Sequence, residues 1–494
     1  VTFIPSSQQA HFYDWVDDCQ GSAIVNAVAG SGKTTTLVHG LDLMPGDRFF
    51  GAYNKAIADE IARRAPQERS MNVGTFHSMG NRAWRSVANP KLDANKVRNI
   101  FREASDRHVQ YKPFEGAVCN LVSLAKQAGL GALVHASNEN WVELVNHFGI
   151  EPPATYAGGE GEAFEIMLKL ASKTMKKSIE TNDEIIDFDD MIFAPIYHDV
   201  PFPEFDWVLV DEAQDTNATR RYMALRMLKP NGRLVAVGDP HQAIYGFTGA
   251  DSDALDLIAE PTNALWLPLT VTYRCPKSVV VYAQQWVSHI QAHDSAPEGE
   301  VIEAKDDTPL EVLVKPGDAV LCRFTAPLVT KAYTFIAAGI PARIEGREIG
   351  DGLKALATRW KTDSLSQLEG YLTAYCGRES IKFIAKGQDS RAAALQDKVD
   401  CLMVLCAKIK EGNRHAGVES LLSQIDKLFG PQAGPAVTFS TIHKSKGREW
   451  DRVVWLTTKP SPWAKQDWQK QQEDNLCYVA ATRAKQTLVL LPAA

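Results

Sequence analysis

Residues 22–35 read SAIVNAVAGSGKTT, an apolar run that meets a glycine-rich turn ending in lysine and threonine. A buried strand feeding directly into a helix points to an α/β chain. Parallel strands need such a covering crossover to return to their sheet. The turn also has a chemistry. Backbone N–H groups of Gly30, Ser31 and Gly32 can wrap a phosphate at a helix N-terminus, and only small residues allow that approach. Lys33 then reaches β- and γ-phosphates, and the Thr34 hydroxyl binds Mg2+. Ala27 stands where the usual G-x-x-x-x-G-K-[ST] pattern has its first glycine. The bland alternative is a glycine-rich turn with no ligand; correct placement of both Lys33 and Thr34 argues against it.

A second stretch, WVLVDEAQDT at 207–216, puts Asp211, Glu212 and Asp215 at the end of a strand-like run. Clustered carboxylates repel unless a cation stands among them. The phosphate loop supplies one: Asp211 would hold the Mg2+ of a bound nucleotide, and Glu212 would orient or deprotonate the attacking water. Phosphoryl transfer also needs positive charge against its transition state. Arg274 in TYRCP and Arg483 in VAATRAKQ are the candidates. A lone arginine is otherwise most simply a surface ion pair.

The 494 residues suggest roughly three or four folding units. Strand–helix alternation runs through RFFGAY (48–53), NKAIADEIARRA (54–65) and MNVGTFHS (71–78). It gives way to helices and polar loops, with YAGGEGEAF (156–164) the most loop-like. Alternation resumes at 206–211 and GRLVAVGDP (232–240), and a new series starts near Leu269 with DAVLCRF (318–324). A second helical stretch follows. PAVTFST (435–441), DRVVWLTT (451–458) and TLVLLP (487–492) complete that series. The organisation expected is a first core of 1–84 and 186–268 with a helical insertion at 85–185. The second core is 269–351 and 433–494, with a short helical insertion at 352–432. A net charge of −7 argues against a polybasic binder but leaves room for a local basic groove. Eight scattered cysteines without a C-x-x-C read as reduced thiols. The opening VTFIPSSQQAHFYDW lacks a signal-peptide plan and no apolar run has membrane-spanning length, so a soluble cytoplasmic protein is expected.

In order, SSQQAHF, AVAGSGKTT, AYNKAIADE, VGTFHS, LVDEAQDTN, VGDPHQAIYGFTGA, TYRCP, AVLCRF, TFSTIHKSKGREWD and CYVAATRAKQ resemble the motifs of superfamily 1 DNA helicases of the UvrD/Rep/PcrA type. The resemblance covers about half the chain. It implies two RecA-like P-loop domains, each with a parallel sheet flanked by helices and a mostly helical insertion, with ATP bound between them. It places Ala29, Gly30, Ser31, Gly32, Lys33, Thr34 and Thr35 on the nucleotide. It assigns adenine recognition to Gln9 if Ser6 caps the first helix, otherwise to Gln8. Gln242 would sense the γ-phosphate, Tyr273 stack on adenine, Glu449 bind ribose, and Arg274 and Arg483 reach the γ-phosphate. DNA contact is implied for Tyr53, Thr75, His77, Tyr245, Phe247, Thr441 and His443.

The function so implied is an ATP hydrolase that moves 3′→5′ on single-stranded DNA. Its cofactors would be ATP and Mg2+. Its partners would be single-stranded DNA, single/double-strand junctions and accessory proteins, with the chain a monomer or weak oligomer. Some positions depart from the family. Thr35 stands where arginine is common, Phe247 and Thr248 replace tryptophan and arginine, and the second insertion is short. That shortness keeps a second reading open: an ATP-switched nucleic-acid-binding subunit of a larger repair or defence complex, with little unwinding of its own. A third, a kinase or transport ATPase, leaves the second-half motifs unexplained.

Overall fold

The computed structural model describes residues 4–18, 20–52, 54–66, 70–105, 108–148, 150, 152–153, 160–244, 246, 253–384, 389–413, 416–430, 434–460 and 466–493. The chain folds as two units that part after Thr270.

The first unit contains β1 (Ala23–Ala27), β2 (Arg48–Ala52), β3 (Met71–Thr75), the short pair β4 (Lys91–Leu92) and β5 (Ile185–Ile186), then β6 (Phe205–Val210), β7 (Leu228–Gly238) and β8 (Leu265–Leu269). Six of these form one parallel sheet in the order β3-β2-β6-β7-β1-β8. Alternate residues face opposite cores. Val208, Val210, Leu234 and Ala236 join one, and Trp207, Leu209, Val235 and Val237 join the other. Burial on both faces is why these strands read as unbroken apolar runs.

Between β3 and β6 the chain is mostly helical. Lys96–Ser105, Glu115–Gln127, Asn138–Phe148 and Glu160–Glu180 build a separate core around Phe101, Leu121, Trp141 and Met167. Residues 160–164, expected as loop, are the first turn of the last of these helices. Gly161 sits near the helix start, where it interrupts little; 156–159 lie outside the described residues.

This helical region is fastened to the helix Asp190–Tyr197 by buried charge. Lys126 Nζ lies 2.7 Å from Asp187 and 2.8 Å from Asp190, and Lys96 Nζ lies 2.7 Å from Asp190. Burial opposes the Lys126 charge, but Asp190 and Asp187 outweigh it and hold its pKa above the ordinary lysine value. Lys126→Met should therefore destabilise the protein by about 3–5 kcal/mol, because it leaves the buried Asp187 carboxylate without its cation while Asp190 keeps only Lys96. An unchanged urea midpoint would show that the cluster is not paired.

The second unit contains the short pair β9 (Val271–Thr272) and β10 (Gln291–Ala292), then β11 (Glu300–Glu303), β12 (Ala319–Cys322), β13 (Ala342–Ile344), β14 (Val437–Thr441), β15 (Trp450–Thr457) and β16 (Ala484–Pro492). The last six form a second parallel sheet, ordered β11-β16-β15-β12-β14-β13. Among the described residues, the helices from Arg347 to Phe429 pack into the core of this sheet. Leu353, Leu372, Leu402 and Leu428 share one hydrophobic cluster with Val320, Phe439 and Val454 of the sheet. Asp397, on the helix Asp389–Gly412, accepts the N–H groups of Thr325 and Ala326 at 3.0 and 2.7 Å. It thus caps the helix Thr325–Ala337 that follows β12. Among the described residues no helix is long and apolar enough to cross a membrane, and the cysteines are free thiols.

Candidate functional site

In the first sheet Ala27, Ala52, Thr75, Val210 and Gly238 end their strands on one shared edge. Ligands of open parallel sheets bind at this carboxyl edge. Gly30 and Gly32 adopt φ of 72° and 81°, left-handed values that disfavour a Cβ. Gly32 caps the helix Lys33–Gly40, whose first N–H groups have no intrahelical acceptor. Val28 N donates to Leu269 O at 2.9 Å and ties the loop to β8. Ser31 N donates to Val28 O at 3.2 Å, while its buried hydroxyl has no hydrogen-bond partner.

Ser6 is the N-cap of the first helix, the condition that selects Gln9. Gln9 N donates to Ser6 Oγ and Ser6 N donates to Gln9 Oε1. The Gln9 amide is buried beneath the loop and donates to Thr36 Oγ1 at 2.9 Å. Gln8 instead grips Thr270, donating to its hydroxyl and accepting its N–H, both at 2.9 Å. Thr35 Oγ1 accepts from Arg64 Nη2 at 3.2 Å.

The acidic stretch meets this loop. Thr34 Oγ1 donates to Asp211 Oδ2 at 3.3 Å, and Lys33 Nζ lies 3.7 Å from Glu212 Oε2. Glu212 N donates to Asp211 Oδ1 at 3.0 Å. Glu212 itself has φ 51° and ψ 44°, a left-handed backbone costing about 1–3 kcal/mol for a residue with a Cβ. A cavity of about 10 Å3, room for one water, is lined in part by Asp211, Glu212, His77 and Arg220.

Burial, then the charge of Glu212, push Asp211 up to about 7 against the pull of Lys33. The donors present are a hydroxyl and a carboxylate whose charge is undercompensated, with an unpartnered Ser31 hydroxyl nearby in sequence. Such hard oxygen donors fit Mg2+, which takes one or two carboxylates plus phosphates and water. Raising the folded pKa of an acid makes its ionised form costly, so this group works against stability increasingly from about pH 4 to about pH 7. A cation must displace the same proton. Mg2+-dependent nucleotide binding should strengthen by up to about tenfold per pH unit below about 7, then level off. Titrating a fluorescent ATP analogue across that range checks this; a flat profile would remove Asp211 from the site.

Gln242 Nε2 donates to Asp239 Oδ2 at 2.7 Å. Thr75 caps the helix Phe76–Trp84, accepting from Ser78 N at 3.1 Å. Thr441 does the same for Ile442–Ser445, accepting from Lys444 N at 3.4 Å. Both threonines therefore sit at carboxyl ends of strands, one in each sheet. Burial and then Arg220 lower His77 to about 4; burial, Arg323 and Lys446 lower His443 to about 3. Each is a neutral imidazole near pH 7, able to hydrogen-bond but not to neutralise a phosphate. Tyr53, Tyr245 and Phe247 lie outside the described residues.

In the second unit the remaining candidates gather at the opposite, amino edge of the sheet. Glu449 immediately precedes β15 and Arg483 immediately precedes β16. Arg274 Nε donates to Glu449 Oε2 at 2.6 Å, and its Nη1 to Thr482 O at 3.4 Å. Arg483 is 1% exposed. Its Nε and Nη1 donate to Val479 O and Arg448 O at 3.0 and 3.2 Å, and its Nη2 to Thr482 Oγ1 at 3.4 Å. Thr482 thus touches both arginines. Tyr273 is 46% exposed, its ring 4.8 Å from that of His293. Motif reading passed over Thr482, Asp239, Arg220 and Gln214, although all four lie inside or beside the motifs.

Residues 13–262 match the family model described as the UvrD/REP helicase N-terminal domain, and 385–493 match the UvrD-like helicase C-terminal domain. The chain is similar to proteins named ATP-dependent DNA helicase PcrA. The one from Staphylococcus epidermidis is 24% identical over 306 residues, covering 55% of this chain and 38% of that protein. The one from Staphylococcus aureus is 24% identical over 305 residues, covering 56% and 39%. The chain spans about two fifths of the length of these relatives.

Proposed function

The chain belongs to the UvrD/REP family of superfamily 1 helicases, and on that premise we propose that it is a DNA-stimulated ATPase moving 3′→5′ on single-stranded DNA. Lys33 binds the β- and γ-phosphates, and Thr34 with Asp211 holds Mg2+, which neutralises phosphate charge when bound. Glu212 orients or deprotonates the attacking water. Gln242 senses the γ-phosphate, Arg274 and Arg483 supply positive charge to it, and Glu449 and Tyr273 take the ribose and base. Gln9, selected by the Ser6 cap, is the proposed adenine contact. Thr75, His77, Thr441 and His443, with Tyr53, Tyr245 and Phe247, are the proposed strand contacts. The proposed organisation keeps two cores interrupted by 85–185 and 352–432.

The observation that carries this reading is the pairing of the phosphate loop with the acidic stretch: Lys33 on Glu212 and Thr34 on Asp211. ATPase rate with and without single-stranded DNA tests it, followed by unwinding of 3′- and 5′-tailed duplexes. DNA should raise the rate, and only the 3′ tail should support movement. ATPase indifferent to DNA would sink the proposal. The second reading, a nucleotide-switched subunit with little unwinding of its own, draws support from one observation. Among the described residues, the helices of 352–432 are packed into the second sheet's core. Processive unwinding by the purified chain would exclude it.

A further inference from the structure

The acidic stretch and the Gln242 segment meet through a side chain to which neither motif reading nor family similarity gives a role. Gln214 lies two residues beyond Glu212 and is almost wholly buried. Its Nε2 donates to Glu212 Oε2 at 2.5 Å, and its Oε1 accepts the N–H of Asp239 at 3.1 Å. The amide has only one workable orientation. A backbone N–H can only donate, so the amide oxygen must face Asp239 and the NH2 must face the carboxylate.

Asp239 extends the chain. Its carboxylate accepts His241 N at 3.0 Å and Gln242 Nε2 at 2.7 Å. Glu212, Gln214, Asp239 and Gln242 therefore form one continuous hydrogen-bonded line from the end of β6 to the segment after β7. The backbone is shaped around it. A Cβ on Gly238 would stand 2.5 Å from Gln214 Oε1 and 3.1 Å from Gln214 N, so the end of β7 must lack a side chain for the amide to pass. Glu212 holds a left-handed backbone, a conformation that persists only where the surroundings over-determine it. The Gln214 amide and Lys33 both address the same oxygen, Oε2.

We propose that Gln214 is a positioning residue that aims the Glu212 carboxylate and ties its aim to the Asp239–Gln242 segment. The proposal rests on reading Glu212 as the residue that orients or deprotonates water. Under it, a change at Gln242 on losing the γ-phosphate is transmitted through Asp239 to the group that acts on the water. Such a link turns a sensor and a base into one unit. A shift of about 1 Å in a reacting group costs about 10²-fold in rate.

Two substitutions in the full chain test this. Gln214→Met keeps the volume but removes donor and acceptor. Gln214→Glu keeps the shape and the acceptor for Asp239 but turns a carboxylate onto Glu212. Both should lower kcat by about 10–100-fold with the KM for ATP nearly unchanged, and the isosteric Gln214→Glu should be at least as impaired as Gln214→Met. Wild-type kcat in Gln214→Glu would overturn the proposal. So would a joint loss of kcat, ATP affinity and melting temperature in both variants, which is what a purely structural amide would give. Glu212→Gln is measured alongside. If it retains turnover, the reading of Glu212 fails; if it is inactive while both Gln214 variants match the wild type, only the positioning role fails.

Discussion

Glu212→Gln should lower ATP turnover by about 10²–10⁴-fold while leaving the fold intact. The substitution is isosteric and the side chain is only partly buried, so no cavity is made. What changes is chemical. An amide oxygen is a poor proton acceptor, and Lys33 loses the carboxylate 3.7 Å away. Binding of a fluorescent ATP analogue and the melting temperature should stay close to wild type, since the phosphate loop is anchored independently through Val28 and β8. Steady-state ATPase with saturating single-stranded DNA is the measurement. Turnover near the wild-type rate would remove Glu212 from catalysis and with it the proposed site.

The second large effect belongs to the arginines. Arg274→Ala should cost about 10³–10⁵-fold in kcat, the range an arginine acting on a phosphoryl transition state supplies. Its structural cost should be small. Arg274 is partly exposed and its partner Glu449 is 45% exposed, so the freed carboxylate returns to water. Arg483 differs. Its guanidinium is buried and satisfies the carbonyls of Val479 and Arg448, so Arg483→Ala should also lose about 1–3 kcal/mol of stability. Comparing kcat with melting temperature separates the two: Arg274→Ala slow but stable, Arg483→Ala slow and less stable. A wild-type kcat in Arg274→Ala would leave its pairing with Glu449 as a surface ion pair and nothing more.

Much of this was readable because it is local. Strand, turn and helix at 22–35 follow one another along the chain, so the spacing of Gly30, Gly32, Lys33 and Thr34 already sets which groups the loop offers to the proposed phosphate. Asp211 and Glu212 are placed by the strand they end. The α/β class and its resemblance to UvrD-type helicases came from such stretches, and the family match agrees. Other features escaped for a common reason. Apolar periodicity in 352–432 shows that helices have a buried face, but not that Leu402 and Leu428 face the same core as Phe439. Gln214 reads as a polar residue between acids; its acceptor role depends on Asp239, brought beside it by the neighbouring strand. The resemblance implies strand contacts for His77 and His443, but only the packing around them shows that burial lowers both pKa values and keeps the imidazoles neutral.

By itself, then, the order of residues determined the glycine-rich strand–turn–helix, the acidic strand end, the paired α/β series and the family they resemble. Each of these is set by covalent spacing over a few residues. Only the tertiary structure decided that β1 lies between β7 and β8. It alone put the strand-contact and arginine candidates of the second sheet at opposite edges, and ran one hydrogen-bonded line from Glu212 to Gln242. Those outcomes depend on strand pairing and on which groups lose their water. Both are set by residues far apart in the chain, where local spacing carries no information.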